Sequence, residues 1–132
     1  MKFHFAEQQP FQHITACDDG SVTINGIIHR ESLIVLPHVA PAKWPVISFD
    51  ALTTSDLMLL TKALPDVVLL GTGRRQRFVR PELAAPLLER QIGIECMDNH
   101  AACRTYHLLS TEGRKVALAL IFDAQTSYFS GV

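Results

Sequence analysis

LLGTGRRQRFVRPELAAPLLERQIGIECMDNHAACRTYHLLSTEGRKVALALI, residues Leu69 to Ile121, alternates short apolar runs with helix-forming segments and almost no filler. The strand that leads into it, Val67 to Leu70, is wholly apolar, as a strand is when both of its faces are covered. The loop Gly71-Thr72-Gly73 and a basic run follow. Pro81 suits the first turn of a helix over Glu82 to Arg90. Pro86 falls inside that span, so a kink or a start nearer Ala85 is expected, and Gly93 reads as the helix stop. Ile94 to Met97 is a brief strand. Asp98 has the chemistry of an N-cap for a helix running to about Ser110, with Ala101, Ala102, Thr105, Leu108 and Leu109 as its expected buried face. Gly113 ends that helix, and Lys115 to Phe122 is the closing apolar strand.

Upstream, Phe11 to Ala16 is a strand candidate ending at the turn Asp18-Asp19-Gly20. Ser21 to Ile24 and Ile27 to Arg30 flank Asn25-Gly26, a strong two-residue hairpin signal because both central residues of a type I′ turn need positive φ. Ser32 to Leu36 is another apolar run. Residues 37 to 45 carry Pro37, Pro41 and Pro45, and read as a surface connection, with Trp44 plugging an edge of the core. Thr53 opens a helix with Asp56 in place for a capping box, and Pro65 closes it. Strands that first pair as a hairpin and then alternate with helices predict an α/β three-layer single domain. It has a mixed central sheet, an N-terminal β-hairpin and flanking helices. Residues 1–132 are expected to form one globular unit, with an ordered core of about 10–123 and a loose tail at 124–132.

Apolar residues make up 48% of the 132 and charged ones 19%, which places the chain among globular proteins. A net charge of −1 gives no global attraction to nucleic acid or anionic membranes, so any basic recognition has to be a local patch. Three cysteines, Cys17, Cys96 and Cys103, contain no Cys-x-x-Cys pair. With no leader-like pattern at the N-terminus, they read as reduced thiols of a cytoplasmic protein. No apolar run is long enough to span a bilayer.

Gly71-Thr72-Gly73 sits at the carboxyl end of a buried strand, where α/β sheets usually bind ligands. Glycines there let backbone N–H groups approach an anion, and Arg74, Arg75, Arg77 and Arg80 follow at once. Neither the dinucleotide-binding nor the P-loop pattern is present. Three readings stay open: a tight turn with solvated arginines, a protein-docking surface, and a small-anion site. RNA binding has only Phe78 interleaved among the arginines to recommend it.

On the helix after Asp98, His100, Cys103, Arg104 and His107 share a stripe, expected opposite the buried face. Such a set can hold zinc or copper. However, Arg104 repels a cation, and a fourth ligand would have to come from elsewhere, Cys96 being nearest in sequence. Cys103 beside Arg104 has features of a nucleophile, yet His107 on the same helix is a poorly placed base. Glu95 and Asp98 do not by spacing alone make an acid/base pair, and no nucleophile elbow is present. No metal, cofactor or catalytic residue is assigned. Glu112-Gly113-Arg114 reads as a turn whose arginine pairs a carboxylate or a helix-end carbonyl.

Taken together, Gly71-Thr72-Gly73, Pro81, Gly93-Ile94-Glu95, Met97-Asp98, Ala102-Cys103-Arg104-Thr105-Tyr106 and Glu112-Gly113-Arg114 closely resemble the signature of a widespread family of unknown biochemical function. Its eukaryotic members include a mitochondrial respiratory complex I assembly factor and an adipogenesis-associated cytosolic protein. The first half matches more loosely, through Gly20, Asn25-Gly26, Ser32 and Pro37. Asn99 stands where the family usually has Thr, and His107 where it usually has Asn, so a family-wide metal site would not depend on His107. The resemblance implies a three-layer α/β domain without a cofactor or an established catalytic residue, and protein partners for the assembly factor. The expected function is therefore a non-enzymatic protein-interaction domain, an assembly factor for respiratory-complex subunits. Its expected binding surface is Gly71, Thr72, Gly73, Arg74 and Arg75, with Arg104 and Arg114 as neighbours. The alternative is an enzyme or carrier holding a small anion at the same loop. A third option is a metal or redox function at Cys103. Oligomeric state stays open.

Overall fold

Asn25 and Gly26 both take positive φ, 49° and 85°, and so close the hairpin between β2 (Val22–Ile24) and β3 (Ile27–His29). Before it, Asp18 Oδ1 accepts from the Gly20 N–H and the Ser21 hydroxyl, each at 3.0 Å, and turns the chain out of β1 (Ile14–Cys17). The three strands make a small antiparallel sheet in the order β1-β2-β3. These features come from a computed structural model that describes residues 9–124. The loose tail expected from residue 124, and the reading of the first eight residues as no leader, fall almost wholly outside that range.

A second sheet has five strands: β4 (Leu33–Leu36), β5 (Val39–Lys43), β6 (Val67–Gly71), β7 (Gly93–Met97) and β8 (Val116–Leu120), in the order β5-β4-β8-β6-β7. β6 runs parallel to β7 and β8, while β4 is antiparallel to β8 and β5, so the sheet is mixed. The stretch expected to be a surface connection contains a strand, β5, despite Pro41. Proline is tolerated because β5 is an edge strand and Pro41 sits where the register with β4 shifts between Ile34 and Leu36.

Three layers result. Along β8 the side chains alternate: Ala117, Ala119 and Ile121 face one side, and Val116, Leu118, Leu120 and Phe122 the other. On the first side lie Trp44, Leu57, Leu60 and Leu87 from the helices and loops that follow β5 and β6. On the second lie Ala102, Cys103 and Tyr106 of a long helix, together with Val22 and Ile24 of the small sheet. Each fully buried Leu, Val or Ile contributes roughly 1.5–3 kcal/mol of transfer free energy. Trp44, 3% exposed, plugs the core as expected, and its indole N–H donates to the Asp56 carbonyl at 3.1 Å.

α1 (Thr54–Met58) begins at the expected capping box: the Asp56 N–H donates to Thr53 Oγ1 at 3.2 Å, and the Thr53 N–H to Asp56 Oδ2 at 2.9 Å. It continues as a 3₁₀ turn, Leu59–Ala63. α2 (Pro81–Glu89) starts at Pro81 rather than near Ala85 and carries Pro86 inside it. Its stop is Gln91, not Gly93. Gln91 takes φ 60°, and the Ile92 and Gln91 N–H groups bond the Leu87 and Leu88 carbonyls in a Schellman motif. Gly93 instead opens β7. α3 (Asn99–Thr111) is capped by Asp98, which accepts from the Ala101 N–H at 2.9 Å. It ends in the same motif with Gly113 at φ 81°. Its buried face is Asn99, Ala102, Cys103 and Tyr106, and Leu108, expected inside, is 56% exposed. The face is rotated because α3 must cover both the main sheet and β1.

Candidate functional site

The carboxyl end of β6 is held by the first residue of α3. Asn99 is 2% exposed. Its Oδ1 accepts from the Gly73 N–H at 3.1 Å, its Nδ2 donates to the Ile121 carbonyl at 3.0 Å, and its backbone N–H donates to the Gly73 carbonyl at 2.9 Å. Gly71 makes room for this. A Cβ at Gly71 would run into Asn99 Oδ1 and lie 2.6 Å from Leu120 Cδ2. Thr72, fully buried, ties the next part of the loop. Its hydroxyl donates to the Arg75 carbonyl at 2.7 Å and accepts from the Arg77 N–H at 3.1 Å, and its backbone N–H donates to the Met97 carbonyl. Gly73, at φ 105°, supplies the left-handed turn. The N–H of Gly73 is thus spent inside the protein.

What the loop turns outward is guanidinium. Arg74 and Arg75 are exposed, and Arg74 Nε lies 3.2 Å from Asp19 Oδ2, an open ion pair of small energetic weight. Arg77 is more enclosed: its guanidinium stacks 4.9 Å over the Phe49 ring and approaches Asp50 at 3.8 Å. Phe78 beside it is 76% exposed. A cleft of about 510 Å³ adjoins the loop, lined by Asp19, Arg30, Gly73, Arg74 and Asp123, so both signs of charge meet there.

The other two expected site arginines lie elsewhere. Arg104 is exposed on α3, beside β1. Arg114 precedes β8, which runs parallel to β6, so it stands at the opposite end of the sheet from Gly71, at least roughly 13 Å away along the strand. Its backbone N–H bonds the Leu109 carbonyl as part of the α3 ending.

The expected His100–Cys103–Arg104–His107 stripe is split. Cys103 belongs to the buried face, while His100, Arg104 and His107 are exposed beside it. Among the described residues, no three of His, Cys, Asp and Glu come together as metal ligands. Cys103 instead lines, together with Cys17 of β1, one groove of about 610 Å³. The Cys103 S–H beside it holds the Cys17 thiol below its ordinary pKa, against the opposing effects of burial and of Asp18, Asp98 and Asp19. The same contact, with burial, pushes the Cys103 thiol up. Cys96, on the opposite face of the sheet, is raised by burial. Asn99, Cys17 and Tyr106 were not legible as interacting residues: their partners lie 22 to 94 positions away in the chain. Glycine at 71 was the one signal pointing to a close approach.

Among solved structures, the chain resembles a Bordetella parapertussis protein at 39% identity, covering 87% of this chain and 98% of that one, with a TM-score of 0.82. Among curated proteins it is similar to NADH dehydrogenase [ubiquinone] 1 alpha subcomplex assembly factor 3 of Danio rerio, 36% identical over 74% of this chain and 57% of that protein. The Homo sapiens protein of the same name is 29% identical over 83% of this chain and 60% of its own length. The chain thus spans less than two thirds of the length of these curated relatives. The family described as a protein of unknown function (DUF498/DUF598) matches residues 14–121, and the chain belongs to that family.

Proposed function

We propose that this protein is a non-enzymatic docking module that assists the assembly of respiratory NADH dehydrogenase subunits, working in the cytoplasm. Its partner-binding surface is the basic face formed by Arg74 and Arg75 over the Gly71-Thr72-Gly73 loop. One observation favours this reading over a small-anion site: the Thr72 and Gly73 N–H groups are committed to Met97 and Asn99, whereas the Arg74 and Arg75 guanidinium groups are exposed. Arginines presented singly on a rigid turn suit carboxylates and carbonyls of a protein surface, and the adjoining exposed Phe78 adds the aromatic chemistry that interface centres favour. The names of the curated relatives support the same class of role.

The test is affinity capture from a mild-detergent lysate with quantitative mass spectrometry, comparing wild type with Arg74→Glu/Arg75→Glu. Both side chains are exposed, so folding should be unaffected. The expected result is enrichment of NADH dehydrogenase subunits on the wild type and their loss on the variant. Equal enrichment on both would remove the loop from the interface, and capture of neither would end the assembly reading.

A further inference from the structure

Cys17 and Cys103 come from different parts of the fold, the end of β1 and the second turn of α3, which pack directly against each other. Both line one groove, together with His100, Arg104 and His107. Cys17 is half-buried and reaches the groove, whereas Cys103, 7% exposed, is the more shielded of the two. The third cysteine, Cys96, packs on the far face of the main sheet and is separated from both by the sheet itself. One accessible thiol backed by one shielded thiol is the arrangement in which an incoming disulfide is attacked first and resolved second.

We propose that Cys17 and Cys103 form a reversible disulfide by thiol–disulfide exchange. Cys17 is the attacking thiol, Cys103 the resolving thiol, and an anionic low-molecular-weight disulfide such as glutathione disulfide the oxidant. Cys17 loses its proton to solvent, and its thiolate bonds one sulfur of the reagent. The reagent S–S bond breaks, and the departing thiolate is protonated from solvent. Cys103 then gives up its proton, and its sulfur attacks the Cys17 sulfur of the mixed disulfide. The second reagent thiolate leaves and is protonated in turn. Two protein thiols are oxidised to one disulfide, and one reagent disulfide is reduced to two thiols. Arg104 on the groove wall can bond a reagent carboxylate during the first step. The Cys103 contact that lowers the Cys17 pKa enlarges the thiolate fraction which performs it. The link would join the small sheet to α3 and close most of the chain into one loop. It is independent of the docking role of the arginines.

The experiment treats the native, reduced protein with glutathione disulfide, quenches it in acid with an alkylating agent, and reads intact mass and peptide maps. Wild type and Cys96→Ser should lose two hydrogens and yield a Cys17–Cys103 linked peptide, reversed by dithiothreitol. Cys103→Ser should instead trap one glutathionyl group on Cys17, and Cys17→Ser should take up none. A wild type that keeps a stable glutathionyl adduct without the link would overturn the proposal. So would a wild type that stays unmodified, or a link that involves Cys96. If a hydroxyl at the buried position 103 prevents folding, Cys103→Ala replaces it, and the wild-type link is decisive without either variant.

Discussion

Helix α3 meets the rest of the molecule in two places that are built on different physics. Its first residue, Asn99, joins the Gly71–Gly73 loop and Ile121 through three directed hydrogen bonds in a site with no space to spare. One and two turns further on, Cys103 and Tyr106 lie against the small sheet in a contact made largely of apolar surface. There the Phe11 and Tyr106 rings stack at 5.9 Å between centroids, and a single hydroxyl bond runs to the Gln12 carbonyl. A directed polar clamp needs particular atoms at particular places, because each donor or acceptor left unmade in the interior costs about 1–3 kcal/mol. An apolar contact depends mainly on filled volume, and it leaves the groove that the two thiols share.

The largest effect should come from Gly71→Ala. The new methyl group displaces Asn99 Oδ1 and crowds Leu120, combining overpacking with a broken clamp, and roughly 3–5 kcal/mol of stability should be lost by urea denaturation. The same substitution in an Asn99→Ala background should cost distinctly less. Equal costs in both backgrounds would mean that Asn99 is not what requires glycine at 71. Asn99→Ala alone should lose about 2–4 kcal/mol, since the Gly73 N–H and Ile121 carbonyl both lose a buried partner, and amide exchange at Gly73 should speed up.

On the apolar side, Tyr106→Phe keeps the packed ring and removes one bond, so the loss should be only about 1 kcal/mol at neutral pH. Its pH dependence sharpens the contrast. Burial raises the Tyr106 pKa above its ordinary value of 10.0, so the neutral phenol is favoured in the fold. Its contribution is complete below pH 10 and declines above it, as the unfolded chain ionises while the folded one stays protonated. Wild type should therefore lose stability more steeply than Tyr106→Phe in that range, and parallel curves would show that the phenol is not shielded.

Much of the fold was legible because its signals are local. The Thr53–Asp56 capping box, the Asp98 cap, the Asn25-Gly26 hairpin and the wholly apolar β6 each rest on a few neighbouring residues, and each is found where it was read. The misreadings also have physical reasons. Pro41 reads as a strand breaker because sequence does not say which strand is at an edge. Gly93 reads as a helix stop because glycine is the commoner left-handed residue, whereas Gln91 takes that conformation here at a strain of about 1 kcal/mol. The arginines around the loop were legible as a group, but the separation of Arg114 from them was not, since it follows from the parallel direction of β6 and β8.

By itself, then, the sequence determined most of the elements apart from β5, the caps at Thr53 and Asp98, the Asn25-Gly26 turn, and the glycine loop at the end of a buried strand, because these depend on chain neighbours within about four residues. Only the tertiary structure decided that Asn99 occupies the Gly73 N–H and that Cys103 shares a groove with Cys17. Those pairs lie far apart along the chain, and they meet only because the three layers pack in one register. That packing withholds the Gly73 N–H from outside ligands and brings two separate thiols to one groove.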